Sequence, residues 1–446
     1  MRNLMILAAT LAGCASPPAG RGDAPAEVGQ RYLSIDADAL VTARGVAAHH
    51  GAQLELLEAD ADVAVIAFPA EDLEELSEQM HAQHDRCGGF MLHDSLDEAR
   101  ASLLPHSDLP IAVDYTLDQA ATVHAVLPTL QPASILGTIG ELSAMQNRYY
   151  QSDSGAAASV WLRDRWASFT TRPDVTVELF DQGYAQKSVI LTIPGSTRAA
   201  EIVVLGGHLD SIAPGGKGST APGADDDASG IATLTEIARA LLANDFRPDR
   251  TIKIMAYAAE EVGLRGSQAI VRDYQKRKIN VVGALQLDMT NYQGSDKDIW
   301  LMKDFTNAAQ NTFVTQLIDT YVGATWGLDA CGYACSDHAS WYRAGVPASM
   351  PFEARMKQRN QAIHTRRDTL EMSGDNAAHA LKFARLGAAF AIELGKGELG
   401  PAATAAPAAM PSQTPSTPFA SWGLLAFVLG AGALLAHLWI ERSARR

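Results

Sequence analysis

From about residue 111 to residue 397, short β-rich runs alternate with amphipathic helical stretches, and that alternation leaves few folds open. Strands are expected at Ser188–Ile193, Ile202–Leu205, Thr251–Tyr257, Ala284–Leu287, Ile299–Met302 and Ala348–Phe352. Helices are expected at Ser154–Phe169, Ser229–Leu242, Gly266–Lys276, Asn307–Tyr321, Asp337–Arg343 and Asn376–Leu394. Strands separated by helical crossovers pair in parallel and carry helices on both faces. The expected architecture is therefore α/β, with a mostly parallel mixed sheet sandwiched by helices. No internal repeat is present.

Residues 24–109 read as a separate small unit. Tyr32–Ile35 and Val63–Phe68 have the look of strands, and Asp72 to His84 repeats with helical period. His49, His50, His81, His84 and Cys87 are scattered in a polar setting and are read as surface residues rather than metal ligands. Pro105 to Pro110 reads as an exposed joint.

The ends differ in character from the rest. Met1-Arg2-Asn3 followed by an apolar run to Ala12 reads as an export signal within residues 1–20. Leu11-Ala12-Gly13-Cys14 resembles a lipobox, in which Cys14 would be lipidated; the alternative is a plain cleaved signal. Residues 401–418 form a Pro/Ala/Ser/Thr-rich linker. Trp422 to Ile440 is apolar and just long enough to span a bilayer, and Arg442, Arg445 and Arg446 follow in the basic end at 441–446. It is expected to be a membrane helix or a removable sorting tail, although no diglycine or Pro-Glu-Pro signature precedes it. The 446 residues carry a formal net charge of −15, which argues against nucleic acid as a partner.

The chemistry lies in five polar clusters at strand ends or in loops, where open α/β sheets place their ligands. Gly206-Gly207-His208-Leu209-Asp210 offers an imidazole with a carboxylate two residues on, on the same side of an extended segment. Gly223 to Gly230 carries Asp225, Asp226 and Asp227 just before a helix. Capping accounts for one aspartate; three in a row suggest a carboxylate able to bridge two cations. Glu260 and Glu261 are adjacent in an apolar setting, so one suits a metal ligand and the other a general base. Asp288 tips a buried strand, and His364 lies in Ile363-His364-Thr365. Histidine and carboxylate ligands without thiolate favour catalytic zinc, and two such ions would sit about 3.5–4 Å apart.

Competing motifs are absent. There is no His-Glu-x-x-His helix and no Gly-x-Ser-x-Gly elbow, and Gly216-Lys217 is followed by glycine rather than Ser or Thr. Ser336-Asp337-His338 is contiguous, whereas a catalytic triad needs spatial convergence; Ser336 is expected to cap a helix.

The segments GGHLDS, APGADDDASG, AYAAEEVGLRGSQ, LQLDMTNY, CGYACSDHASW and IHT, in order, closely resemble the secreted bacterial leucyl aminopeptidases with two zinc ions. The likeness runs from about residue 30 to 395. It implies the zinc aminopeptidase (phosphorylase/hydrolase-like) fold over 111–397, preceded by an α+β propeptide at 24–109 that acts as intramolecular chaperone and inhibitor and is cut near Pro105–Pro110. It also implies that Asp226 bridges two Zn2+ ions, with His208 and Asp288 at one and Glu261 and His364 at the other. Glu260 would be general base and acid, Asp210 would support His208, and Tyr333 would stabilise the oxyanion. A Cys331–Cys335 disulfide and a cis Asp226–Asp227 peptide are further implications. Met289, Met302, Met350, Phe352 and Ile363 would form an apolar pocket for the first side chain of a peptide with a free N-terminus. A monomer is expected. The rivals are a single-zinc glutaminyl cyclase or a carboxypeptidase on the same fold, and a non-catalytic binding module.

Overall fold

The structure is a computed structural model, and it describes residues 29–84, 86, 88–103 and 113–401. The signal segment with Cys14, Cys87, the joint at Pro105–Pro110, the linker beyond Pro401, the apolar run Trp422–Ile440 and the basic end lie outside the described residues. Among the described residues, no helix is long and apolar enough to cross a membrane.

The front of the chain builds a four-stranded antiparallel sheet from β1 (Gln30–Asp36), β2 (Glu55–Ala59), β3 (Val63–Pro69) and β4 (Phe90–His93), in the order β2-β3-β1-β4. Helices α1 (Leu40–His49), α2 (Leu73–His84) and α3 (Leu96–Ala101) accompany it. Leu33, Ile35, Ile66 and Phe68 point to one face and meet Val46, Leu76 and Met80 in a small core of their own.

The second part contains α4 (Ala120–Val126), α5 (Pro132–Ser143), α6 (Asp153–Ala167), β5 (Thr176–Phe180), β6 (Ser188–Ile193), β7 (Arg198–His208), α7 (Ala228–Ala243), β8 (Phe246–Pro248), β9 (Arg250–Tyr257), α8 (Arg265–Lys276) and β10 (Asn280–Gln286). It continues through β11 (Ile299–Met302), α9 (Ala308–Leu317), β12 (Trp326–Asp329), α10 (His338–Arg343), β13 (Ala348–Ser349), β14 (Pro351–Phe352), α11 (Ala380–Gly395) and β15 (Gly397–Leu399). The main sheet has the order β13-β10-β7-β9-β6-β5. Its first four strands are parallel; β6 and β5 complete it antiparallel.

Alternation along the strands explains the sandwich. Val203 and Leu205 of β7 face the large core that includes residues of α5, α7 and α11, while Ile202 and Val204 face the core formed with α8 and α10. The expected strand Ala348–Phe352 is two strands: β13 joins the main sheet, and β14 pairs with β11 in a three-stranded sheet with β12. The expected helix Asn307–Tyr321 is α-helical only to Leu317 and ends in a π-helical turn, Ile318–Val322.

Candidate functional site

The three central parallel strands end at one crevice. His208 is the last residue of β7, Glu260 and Glu261 follow β9, and Asp288 lies two residues past β10. Asp226 stands in the loop entering α7, and Asp227 caps that helix by accepting from the Gly230 N–H at 2.9 Å. His364 arrives from a turn late in the chain. Several non-glycine residues here have left-handed backbone, an uncommon conformation that collects at functional sites: Ala259 (φ 57°), Met289 (φ 54°) and His364 (φ 54°). The Asp226–Asp227 peptide is cis.

These five side chains, scattered over more than 150 positions, meet. His208, Asp226 and Asp288 each bring a ligand atom within 4.8 Å of the others. The Nε2 of His208 is 2.9 Å from Asp226 Oδ1 and 3.7 Å from Asp288 Oδ1. The other Asp226 oxygen, Oδ2, is 3.0 Å from His364 Nε2, which is itself 3.2 Å from Glu261 Oε2. Asp226 thus presents one oxygen to each of two clusters.

The chemistry of this arrangement fits divalent cations. Both ring nitrogens of His208, both carboxylate oxygens of Asp226 and Glu260, and Oε2 of Glu261 are buried without a hydrogen-bond partner. Buried polar atoms are ordinarily paired, so such a group wants an ion or water. The carboxylates of Asp226, Glu260, Glu261 and Asp288 crowd one buried crevice. Burial raises the Glu260 pKa well above the usual carboxylate range, and burial with Asp226 nearby lifts Glu261 to about 7. Burial alone would lower His208, but Asp288 and Glu260 override it and drive it well above its ordinary value. Burial and the crowding of carboxylates both disfavour charge here, and a cation would relieve both.

Asp210 is fully buried and holds more than the histidine. It lies 3.5 Å from His208 Nδ1, and its two oxygens accept the Glu260 and Glu261 N–H groups at 3.0 and 3.1 Å. Met289, Met302, Met350, Phe352 and Ile363 share one buried apolar cluster with Trp300, Tyr333 and Cys335. Cys331 and Cys335 are joined by a disulfide. Ser336 does not cap α10 with its side chain: Asp337 is the N-cap residue, and Ser336 Oγ accepts from Gln286 Nε2 at 3.0 Å. The helix starts one residue later than the motif suggests, which frees Ser336 for the strand. His338 Nε2 faces the Asp304 carbonyl at 3.2 Å, so no serine triad forms.

A model of peptidase family M28 matches residues 188–388. Leucine aminopeptidase 1 of Arthroderma otae is 37% identical over 305 residues, covering 64% of this chain and 80% of that protein. Leucine aminopeptidase 1 of Emericella nidulans is 35% identical, covering 69% of this chain and 82% of its own length. The chain is an aminopeptidase of peptidase family M28. Among solved structures, LapB from Legionella pneumophila superposes with a TM-score of 0.71 at 28% identity, covering 82% of this chain and 100% of that one. The LapA aminopeptidase of the same organism gives the same score and identity over 84% and 100%. These likenesses match the fold class expected from the strand–helix alternation.

Several residues of this aminopeptidase's crevice escape sequence reasoning. Asp227 accepts from the His208, Gly230 and Met289 N–H groups at 2.9–3.0 Å, tying three segments together. Asp368 Oδ2 accepts from the Asp226 N–H at 3.0 Å. Arg148 is wholly buried and donates to the Leu209, Pro222 and Gly223 carbonyls at 2.9, 2.6 and 2.9 Å. His81, read as a surface residue, is instead packed against the crevice, its ring 4.0 Å from that of His364. The face of α2 that carries it is covered by the second part of the chain, which helical period alone does not reveal. His49 and His50 do lie exposed, beside Glu75.

Proposed function

We propose that the chain is an exported, zinc-dependent proenzyme that removes large apolar residues from peptide N-termini. Two Zn2+ ions would be held by His208 and Asp288 on one side and by Glu261 and His364 on the other, with Asp226 between them. Zinc, when bound, supplies Lewis acidity that polarises a carbonyl and makes water acidic near neutral pH. Glu260 carries the proton traffic: its carboxylate accepts a proton from the attacking water and returns it to the leaving amine. Asp210 fixes the Glu260 backbone so that the carboxylate points into the crevice. Tyr333 is the candidate donor to the developing oxyanion. The apolar cluster around Met302, Met350 and Phe352 accounts for a leucine-like first residue. The front unit packs over this crevice, which accounts for latency until it is cut away.

The observation that carries this reading is Asp226, whose two unpaired, buried oxygens each face a histidine of a different cluster. Metal analysis of the processed protein, alongside hydrolysis of a leucine anilide, tests it. Two zinc ions per chain and chelator-sensitive turnover are expected. Glu260→Ala should keep its zinc and lose turnover. A processed enzyme that cleaves without divalent metal would sink the proposal.

A further inference from the structure

Helix α2 of the front unit divides its residues between two surfaces. Leu73, Leu76 and Met80 enter the front core. Glu74, Ser77, Glu78 and His81, at positions i, i+3, i+4 and i+7 of one helical face, meet the catalytic part. Tyr150 donates to Glu74 Oε1 at 3.2 Å, and the Gly215 N–H donates to Glu78 Oε1 at 3.1 Å. Ser77 Oγ donates at 2.6 Å to the backbone carbonyl of Glu261, itself a residue of the crevice. Close by, a side chain at Gly88 would strike the Gly263 backbone at 2.9 Å, so the front unit and the catalytic part touch main chain to main chain.

This docking carries His81 to the crevice. Its Nε2 lies 3.5 Å from Glu261 Oε2, and His81, Glu261 and His364 each place a ligand atom within 4.8 Å of the others. The Gly88 N–H donates to His81 Nε2 at 3.2 Å, so the ring's lone pair is on Nε2 and its proton on Nδ1. Glu261 Oε2 stands 3.5 Å from the same nitrogen, so a cation between them would take this lone pair in place of the Gly88 N–H.

We propose that His81 is a removable ligand of the centre, filling the open position beside Glu261 and His364 in the uncut chain and leaving it when the front unit departs. The inference rests on the zinc pair proposed above. Zinc sites with four protein ligands are closed and structural, whereas catalytic ones hold three and keep a position open. Asp226, Glu261 and His364 make three; His81 makes four. Latency then comes from a filled coordination position as well as from bulk. Arg86, whose guanidinium lies 5.3 Å over the Tyr333 ring, covers another wall of the site.

The test uses the uncut chain loaded with Co2+ and read by paramagnetic proton NMR. Each coordinated histidine contributes one strongly shifted, exchangeable ring N–H. Signals from three histidines, His81, His208 and His364, are expected in the uncut chain, and from two in His81→Ala and His81→Gln. The variants should also hydrolyse a leucine anilide tenfold or more faster than the uncut parent. An uncut parent that binds two cobalt ions but shows only two histidine signals overturns the role of His81 and leaves the metal pair standing. A chain that binds no cobalt overturns both. The count in the parent decides even where a variant loosens the front unit.

Discussion

The Nε2 atom of His208 and the Oδ1 atom of Asp226 lie 2.9 Å apart, buried, and make no hydrogen bond to each other. Two atoms so placed are oriented toward a common third point rather than toward each other. On the proposed zinc pair, Asp226→Asn should weaken both metal positions together, because Asp226 reaches His364 with its other oxygen. Zinc content is expected to fall from two per chain to below one after dialysis, with turnover lost. His364→Ala, which touches one cluster, should leave one zinc. Retention of two zincs by Asp226→Asn would remove it from the bridge.

Asp210 gives a separable effect. Its carboxylate accepts from two successive backbone N–H groups and lies beside His208. Asp210→Asn turns one acceptor into a donor that must face an N–H. Groups behind metal ligands typically account for 10–100-fold in affinity or activity. We expect kcat to fall by about that factor, with the KM for a leucine anilide nearly unchanged, because the apolar cluster around Met350 is untouched. A rise in KM alone would place Asp210 in substrate binding.

The five side chains that meet at the crevice were legible because metal chemistry restricts residue type and the fold restricts position. His208, Glu261 and Asp288 sit where parallel strands end, a placement that follows from hydrophobic pattern, and Asp226 sits at the start of a helix marked by its run of aspartates. His364 was singled out by residue type, but its pairing with Glu261 came only through resemblance, since its turn has no periodic signal. Asp227, Asp368 and Arg148 were illegible as organisers because their partners are backbone groups, and sequence does not say which carbonyl or N–H a side chain will meet. His81 was misread for a related reason. Helical period identifies an apolar face, but α2 is covered on both sides, and its second face is polar because it binds polar loops. The split of Ala348–Phe352 between two sheets likewise depends on partners that no local pattern records.

Arg148 should be a stability residue with a catalytic consequence. It is buried, and it joins the chain after His208 to the loop before Asp226 through the Leu209, Pro222 and Gly223 carbonyls. Arg148→Met leaves these acceptors unpaired, at about 1–3 kcal/mol each where water cannot enter. A melting-temperature drop of roughly 6–12 °C follows from a loss of about 3 kcal/mol. Arg148→Lys reaches fewer of the carbonyls and should fall between. Scanning calorimetry of parent and variants checks the order, and equal melting points would refute it.

His379 supplies a pH signature of its own. Its Nε2 donates to the Glu353 carbonyl at 3.2 Å, its Nδ1 is buried without a partner, and its ring packs edge-on against Phe383. Burial, helped by Lys382, lowers its pKa to about 4. A second N–H would have no acceptor, which is why the neutral ring is favoured. The folded pKa is below the unfolded value of about 6.5, so the unfolded chain binds the extra proton. This stabilisation is complete above pH about 6.5 and is lost as pH falls toward about 4. At pH about 4.5 the loss from this one group amounts to about 2–3 kcal/mol. Urea unfolding of parent and His379→Gln at neutral and acid pH isolates it, since other titrating groups, including those of the crevice, are common to both proteins. The variant is expected to be less stable at neutral pH, yet to lose about 2–3 kcal/mol less on acidification. Parallel losses in the two proteins would show that His379 is already protonated in the folded state.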